Sequence, residues 1–232
     1  MMIRIGAGPL VRFDDDFALF RNDVAREAHL AAIQQAGFGG ISLNPGTPRE
    51  VAAVHAALAR HGLSFIAPTQ LVNLTRRGAD DIFADLNMQV RAARALGATE
   101  VTVSEEPRVA FDTAGWEQFG KRLAELAGCF SVYGVKLVYR PLPGSIAGNA
   151  TDVETLLAVT PTSIGLMLDV EVLGKACLRI AANHADRIAF VAPGADHDAL
   201  MALLPDYRGW MMLDCVPDHS VEPITRQRPR AA

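Results

Sequence analysis

Residues 136–169, KLVYRPLPGSIAGNATDVETLLAVTPTSIGLMLD, contain the pattern that decides the fold. Two apolar runs, at 136–139 and 164–168, flank a segment with the apolar spacing of a helix. Two such runs joined by a helical spacer are typical of a βαβ unit in a parallel sheet. Each run is followed by a charged residue, Arg140 after the first and Asp169 after the second. Because the chemistry of an α/β barrel lies at the C-terminal ends of its strands, these two residues are the first candidates for a site.

The same pattern repeats along the chain. A glycine follows a helix-like segment and precedes an apolar run at four positions, Gly37, Gly62, Gly97 and Gly134. A glycine just past a helix adopts the left-handed conformation that ends it, so each one indicates a helix-to-strand turn. The pattern continues without glycine before the runs at 188–191 and 209–213, and the chain opens with a strand at 3–5. Eight strands alternating with helices predict a single (β/α)8 TIM barrel at the short end of its size range.

A doubly wound sheet is the alternative for such an alternation, but residues 6–10 (GAGPL) lack the third glycine and the helix start of a phosphate loop. The barrel is predicted to span residues 1–214, followed by a C-terminal tail at 215–232. The tail has 18 residues and three prolines, so the eighth helix is expected to be truncated or absent. Its absence would uncover apolar side chains such as Ile33 and Leu203. We therefore expect a homodimer, or the tail itself, to cover them.

Composition narrows the classes of function. Half of the 232 residues are hydrophobic and the formal net charge is -4, which gives no electrostatic support for binding nucleic acid or an anionic membrane. No apolar run has the length of a membrane span, and the first residues lack a signal-peptide pattern. The three cysteines, Cys129, Cys177 and Cys215, have no metal-type spacing and indicate thiols in a reducing compartment. A cytoplasmic location is expected.

The sequence resembles the xylose isomerase-like TIM barrels, also called sugar phosphate isomerases/epimerases, and within them the inosose dehydratases. The resemblance covers roughly residues 3–214. It rests on short segments in the same order, Ala36-Gly37-Phe38, His61-Gly62-Leu63, Tyr133 to Tyr139, Val159 to Asp169, Asp186-Arg187-Ile188 and Gly209-Trp210. It implies an isomerase or dehydratase whose divalent metal is held by two Glu, an Asp and a His at strand ends.

Carried over by this resemblance, most of the metal ligands are replaced. The family's first glutamate ligand is Gly148 and the histidine in its strand seven is Ala192, and a further histidine of the family, after strand five, is Arg140. The aspartate is retained as Asp169, and the last glutamate is shortened to Asp214. We expect no bound metal and no other cofactor, because two carboxylates are a poor ligand set for a divalent ion. The alternative is an all-carboxylate site completed by three converging side chains, Glu105, Glu106 and Glu171.

The retained charges predict acid/base chemistry. Asp169 or Asp214 would act as the base, and Arg140 would stabilise a developing enolate. Arg140 could also hold a substrate carboxylate or phosphate through two hydrogen bonds. The alternative for Asp169 is a cap on the next helix. The alternative for Arg140 is an internal ion pair with Asp169 or Glu171.

Substrate contacts are predicted for residues that follow strands or lie on loops at the catalytic end, namely Glu105, Glu171, Asn44, Gln70 and His197. Together these predictions describe an enzyme that works without a metal on a small polyol-like or keto-acid substrate. It would remove a proton next to a carbonyl, as a lyase or an isomerase. The alternative is a non-catalytic barrel that binds a ligand or a partner protein.

Overall fold

The computed structural model describes residues 4–8, 23–42, 48–67, 69–105, 111–193 and 197–214. In these ranges the chain forms nine parallel strands, β1 Arg4–Gly8, β2 Gly40–Ile41, β3 Ser64–Phe65, β4 Thr69–Val72, β5 Glu100–Glu105, β6 Lys136–Tyr139, β7 Gly165–Asp169, β8 Ile188–Ala192 and β9 Trp210–Asp214. The helices in the same ranges are α1 Asp23–Gln35, α2 Pro48–His61, α3 Ala79–Ala95, α4 Thr113–Ser131, α5 Ala150–Val159, α6 Val170–Leu173, α7 Ala176–His184 and α8 His197–Leu203.

The two ends of the sheet are joined by consecutive chain. The strand order is β3-β2-β1-β9-β8-β7-β6-β5-β4, so the first and last strands in the order follow one another in sequence. Only residues 66–68 separate them, and the N–H of Ile66 donates to the carbonyl of Ile41 at 3.0 Å. Strands β3 and β4 are therefore two halves of one interrupted strand, the first paired with β2 and the second with β5. The predicted single (β/α)8 barrel is confirmed.

The predicted helix-to-strand turns are also confirmed. Gly37, Gly62, Gly97 and Gly134 have φ values of 87°, 63°, 91° and 67°. A side chain at the first three would meet no atom within 4 Å, so the requirement for glycine there is conformational. The left-handed region is accessible to glycine at no steric cost, which ends each helix and starts the next strand.

Strand alternation divides the buried side chains into two concentric cores. The outer core lies between the sheet and the helices and includes Val103, Leu137 and Leu168. The inner core, called here the interior cluster, consists of Ile66, Ala67, Val138, Met167, Phe190, Ala192, Trp210 and Met212. Successive residues of a strand point to opposite faces, so the interior of the barrel is filled by every second side chain.

Side-chain caps fix the start of α4 and of α5. Asp112 accepts a hydrogen bond from the N–H of Gly115 at 2.8 Å, which caps α4. Asn149 accepts one from the N–H of Asp152 at 3.0 Å, which caps α5. Such caps satisfy amide groups that have no partner within the helix.

Some expectations are corrected or lie outside the described residues. Strand β4 was not predicted as a strand. Ile33 is buried by the chain itself, so it needs no cover, whereas Leu203 is 39% exposed. The predicted truncation of the eighth helix and the tail at 215–232 lie outside the described residues. In the described ranges, none of the helices combines the length and the apolar composition that a membrane crossing requires.

Candidate active site

Four of the predicted site residues stand at strand ends on one side of the barrel. Glu105 ends β5, Arg140 follows β6, Asp169 ends β7 and Asp214 ends β9. Because all the strands are parallel, their carboxyl ends meet at the same end of the barrel, called here the barrel mouth.

Three of the predicted side chains are not described. Asn44 lies outside the described residues. Asp214 pairs with Gly8 in the ladder between β9 and β1, and His197 is the first residue of α8. The structure does not describe the side chains of Asp214 and His197, so the roles predicted for these two residues stay predictions.

Arg140 and Asp169 form a buried ion pair across neighbouring strands. Nη2 of Arg140 is 3.9 Å from Oδ2 of Asp169, and the two side chains are 5% and 9% exposed. The backbone of Arg140 is fixed by β5, because its N–H donates to Val103 at 2.8 Å and its carbonyl accepts from the hydroxyl of Ser104 at 3.0 Å. The internal ion pair, which was the alternative interpretation of Arg140, is present.

Asp169 uses its two oxygens differently. Oδ1 accepts hydrogen bonds from the N–H groups of Glu171 at 3.1 Å and Val172 at 3.3 Å, which caps α6. Oδ2 is the oxygen nearest to Arg140. Burial raises the pKa of Asp169 above its ordinary value, although the two N–H donors and the guanidinium act in the opposite direction. The helix cap, which was the alternative interpretation of Asp169, is present together with the ion pair.

Glu105 anchors the loop between β4 and α3. Its Oε2 accepts from the N–H of Leu74 at 3.1 Å, and its Oε1 accepts from the N–H of Thr75 at 3.3 Å. Arg122 of α4 donates to the carbonyls of the same two residues, at 2.6 Å and 3.1 Å. Glu105 lies on the same strand face as Val103 of the outer core, so strand alternation turns it away from the barrel interior. These contacts do not support the predicted substrate contact of Glu105.

The role of Arg122 in binding this loop was not predicted from the sequence. Its contact with the loop joins residues that are nearly fifty positions apart, and no local pattern carries such information.

Gln70 and Glu171 lie beside the barrel mouth. Gln70 is buried in β4 next to Thr69, whose side chain reaches the interior, and neighbouring side chains of a strand point to opposite faces. Glu171 is an exposed residue of α6. Neither residue lines the cavity described next, so their predicted substrate contacts receive no support from it.

A small cavity lies above the interior cluster. It is lined by Gly8, Ser42, Ile66, Ala67, Thr69, Thr102, Arg140, Met167, Phe190 and Met212. Its volume is ≈ 20 Å³, which is room for about one water molecule or a small ligand head group. Of the lining residues that the structure describes, Arg140 is charged, and Ser42, Thr69 and Thr102 supply hydroxyl groups. The hydroxyl residues were not predicted. Side chains alternate between the two faces of a strand, so this alternation could have identified the residues that share the inner face with Thr102 and Arg140.

The described residues do not fit the divalent metal that the resemblance implies. A Cβ at Gly148 would lie 2.7 Å from the carbonyl oxygen of Leu142, so the backbone leaves no room for a glutamate there. Ala192 offers no ligand atom at the end of β8, and the guanidinium of Arg140 places a cation beside Asp169. Within the described ranges, no three His, Cys, Asp or Glu side chains are grouped so that they could hold an ion.

The all-carboxylate alternative receives no support from the described residues either. Glu105 is engaged with the loop after β4, and Glu171 is exposed on α6. Glu106 lies outside the described residues.

Comparison with known proteins agrees with this barrel. The model of a family described as xylose isomerase-like TIM barrel matches residues 30–171. The chain is 27% identical over 209 residues to the rhizopine catabolism protein MocC of Rhizobium meliloti. That alignment covers 82% of this chain and 64% of MocC, so the chain spans less than two thirds of that relative's length.

Several solved structures share the fold. A 3-keto-D-glucoside 4-epimerase from E. coli has a TM-score of 0.70 and 14% identity, over 96% of this chain and 95% of that chain. An L-ribulose 3-epimerase has a TM-score of 0.69 and 20% identity, over 95% and 84%. A family 2 AP endonuclease from Brucella melitensis has a TM-score of 0.68 and 17% identity, over 92% and 93%. At these identities the likeness shows the fold alone.

Proposed function

The chain belongs to the xylose isomerase-like TIM barrel family, and on that premise we propose that it is an enzyme that works without a bound metal. The proposed reaction is the removal of a proton next to a carbonyl in a small polyol-like or keto-acid substrate, of lyase or isomerase type. The observation that carries the proposal is the buried pair of Arg140 and Asp169 at the barrel mouth.

Asp169 is the proposed base, with Asp214 as the second candidate. The N–H groups that bind Oδ1 fix the orientation of the Asp169 carboxylate and leave Oδ2 toward Arg140. Burial raises the pKa of Asp169, and a more basic carboxylate accepts a proton from carbon more readily. In the proposed step the proton moves from the carbon to Oδ2 and the electron pair moves to the carbonyl oxygen.

Arg140 is the proposed stabiliser of the enolate that this step forms. A guanidinium held in a buried position needs little reorganisation when negative charge develops on the carbonyl oxygen. The same charge opposes a divalent metal. At an effective dielectric constant of about 20, unit charges roughly 6 Å apart repel by ~3 kcal/mol, and a divalent ion doubles that value.

Hydrogen exchange at carbon tests this proposal. The protein is incubated in heavy water with a panel of neutral ketoses and short 2-oxo acids, with and without EDTA, and the C–H signals next to the carbonyl are followed by proton NMR. We expect exchange that persists in EDTA and is lost in Asp169→Asn and in Arg140→Met. Asp206→Asn, which removes an exposed carboxylate, is the control that should retain exchange.

Two outcomes would contradict the proposal. Exchange that stops in EDTA and returns with added Mn²⁺ would contradict metal independence. The absence of exchange with every substrate would contradict the enzymatic assignment.

The second candidate function is a non-catalytic barrel that binds a ligand or a partner protein. The observation that favours it is the engagement of both oxygens of Asp169 inside the fold, together with a cavity of only ≈ 20 Å³. A ligand that co-purifies in the barrel mouth without any exchange at carbon would support this candidate.

The homodimer also remains a proposal. Leu203, the last residue of α8, is 39% exposed, and it is the apolar side chain that we place in the proposed contact between subunits. A single monomeric species in sedimentation velocity would contradict it.

A further inference from the structure

We propose that the cavity at the barrel mouth binds the carboxylate of a short 2-oxo or 2-hydroxy acid, with Arg140 as its cationic partner. This inference rests on the proposed function, which leaves polyol-like and keto-acid substrates open. It selects the acids, and it therefore names the chemical class of the ligand.

The charge of the cavity supports an anionic ligand. Among the described residues that line it, Arg140 is the charged one, and its ion-pair partner Asp169 does not belong to that lining. Oδ1 of Asp169 is directed to the N–H groups of α6, which holds part of that carboxylate away from the cavity. A guanidinium presents its N–H groups in a planar fork that matches the two oxygens of a carboxylate.

The position of Arg140 is fixed before a ligand arrives. Its backbone N–H and carbonyl are bound to Val103 and Ser104 of β5, and its side chain is 5% exposed. The contact with Asp169, at 3.9 Å, is longer than a hydrogen bond, so the attraction between the two charges orients the guanidinium without a direct hydrogen bond between these two atoms. A side chain held in this way loses little conformational entropy on binding.

The apolar part of the lining disfavours a polyol. Half of the lining is apolar, namely Ile66, Ala67, Met167, Phe190 and Met212. The hydroxyl groups of a polyol would lose water against these side chains without gaining partners, which is unfavourable. A short acid instead places its carbon body against the apolar wall and its carboxylate toward Arg140.

The polar side of the cavity and its size agree with this orientation. Thr69 and Thr102 are neighbours in the ladder between β4 and β5, and both reach the cavity. The hydroxyl of Ser42 already donates to the carbonyl of Ala67. The small volume, ≈ 20 Å³, means that only one end of a ligand enters the cavity, and a planar carboxylate is a smaller group than a tetrahedral phosphate.

Two matched probes test the inference. Pyruvate and hydroxyacetone share a three-carbon ketone skeleton and differ by a carboxylate in place of a hydroxymethyl group. Their binding to the full chain is measured by ligand-observed NMR, with inorganic phosphate as a third probe. We expect pyruvate to bind at least about 10-fold more tightly than hydroxyacetone, because hydrogen bonds to a charged group are the stronger ones. Phosphate should not displace pyruvate at equal concentration.

Variants identify the residue responsible. Arg140→Met should weaken pyruvate binding by about 10- to 100-fold and should weaken hydroxyacetone binding much less, so that the preference for pyruvate is lost. Arg140→Lys should bind pyruvate with intermediate affinity, because it keeps the charge and loses the fork. Thr102→Val, a near-isosteric change, should weaken pyruvate binding by about 2- to 10-fold through the loss of a hydroxyl. Should Arg140→Met fail to fold, Arg140→Lys, Thr102→Val and the two probes on the wild type decide the question.

The inference is overturned if hydroxyacetone binds as tightly as pyruvate, if phosphate displaces pyruvate, or if the variants of Arg140 and Thr102 bind pyruvate as the wild type does. Its failure is distinguishable from that of the proposed function. Pyruvate binding without exchange at carbon supports the inference and contradicts the enzyme. Exchange on a neutral ketose without pyruvate binding supports the enzyme and contradicts the inference.

Discussion

The ion pair at the barrel mouth should show a large coupling in a double-mutant cycle. The cycle compares the wild type, Arg140→Met, Asp169→Asn and the double variant. Methionine keeps the length and the apolar bulk of the arginine stem. Asparagine keeps a side-chain oxygen for the N–H groups that Asp169 caps. Each change therefore removes mainly a charge, and the cycle isolates the interaction between the two charges.

The size of the coupling follows from distance and burial. At 3.9 Å and an effective dielectric constant of about 20, the attraction is ~4 kcal/mol, and we expect a coupling free energy of about 2–4 kcal/mol. The single changes need not be large, because burial of the carboxylate opposes the attraction of its partner. A matched control is the pair of Asp206 and Arg208, at 3.8 Å with side chains 98% and 67% exposed. Its coupling should be below about 1 kcal/mol.

Urea denaturation at neutral pH, followed by tryptophan fluorescence and circular dichroism, gives the free energy of unfolding of all seven proteins in the two cycles, which share the wild type. The slopes of the denaturation curves must agree within each cycle, because a changed slope means a changed unfolded or native state. A coupling between Arg140 and Asp169 as small as that of the exposed control would refute the description of a buried ion pair at the mouth.

Three further predictions concern pH, the loop before α5 and the loop after β4. Burial raises the pKa of folded Asp169 above its unfolded value, so its contribution to stability is greatest below the unfolded pKa and is lost as the pH rises through the folded pKa. The free energy of unfolding of the wild type relative to Asp169→Asn should therefore fall from acid toward neutral pH in denaturant titrations, and a rise would contradict this sign. Gly148→Ala should destabilise by about 1–3 kcal/mol because its Cβ would meet a backbone oxygen at 2.7 Å. Gly128→Ala, in α4 with nothing within 4 Å, should be neutral or stabilising by up to ~1 kcal/mol, and equal effects at the two glycines would contradict the crowding. Glu105→Gln should speed hydrogen exchange of the two amides that it binds, and unchanged exchange would show that the carboxylate does not anchor the loop.

The fold was predictable because its signals are local. The helices end at Gly37, Gly62, Gly97 and Gly134, where the backbone has a positive φ. Glycine adopts this conformation readily, so the local sequence is enough to predict each helix end. The interruption of the third strand was not predictable in the same way. Its first half pairs with β2 and its second half with β5, so the break depends on two partners distant in sequence.

The site was predictable in part for a related reason. Strand ends identified Arg140 and Asp169, which the structure brings within 3.9 Å. The orientation of Glu105 could not be deduced, because strands buried on both faces show no contrast between an apolar and a polar side. The contact of Arg122 with the loop after β4 depends on tertiary packing, which no spacing in the sequence records.

Metal content is the most direct test of metal independence. The protein as purified is subjected to elemental analysis, and its thermal unfolding is measured with EDTA and with added Mn²⁺, Co²⁺, Zn²⁺ or Mg²⁺. We predict no stoichiometric metal and no rise in melting temperature beyond that caused by non-specific ions, since only a ligand that prefers the folded state stabilises it. One equivalent of metal per chain, lost in Asp169→Asn, would contradict the account and would restore a metal-dependent reaction.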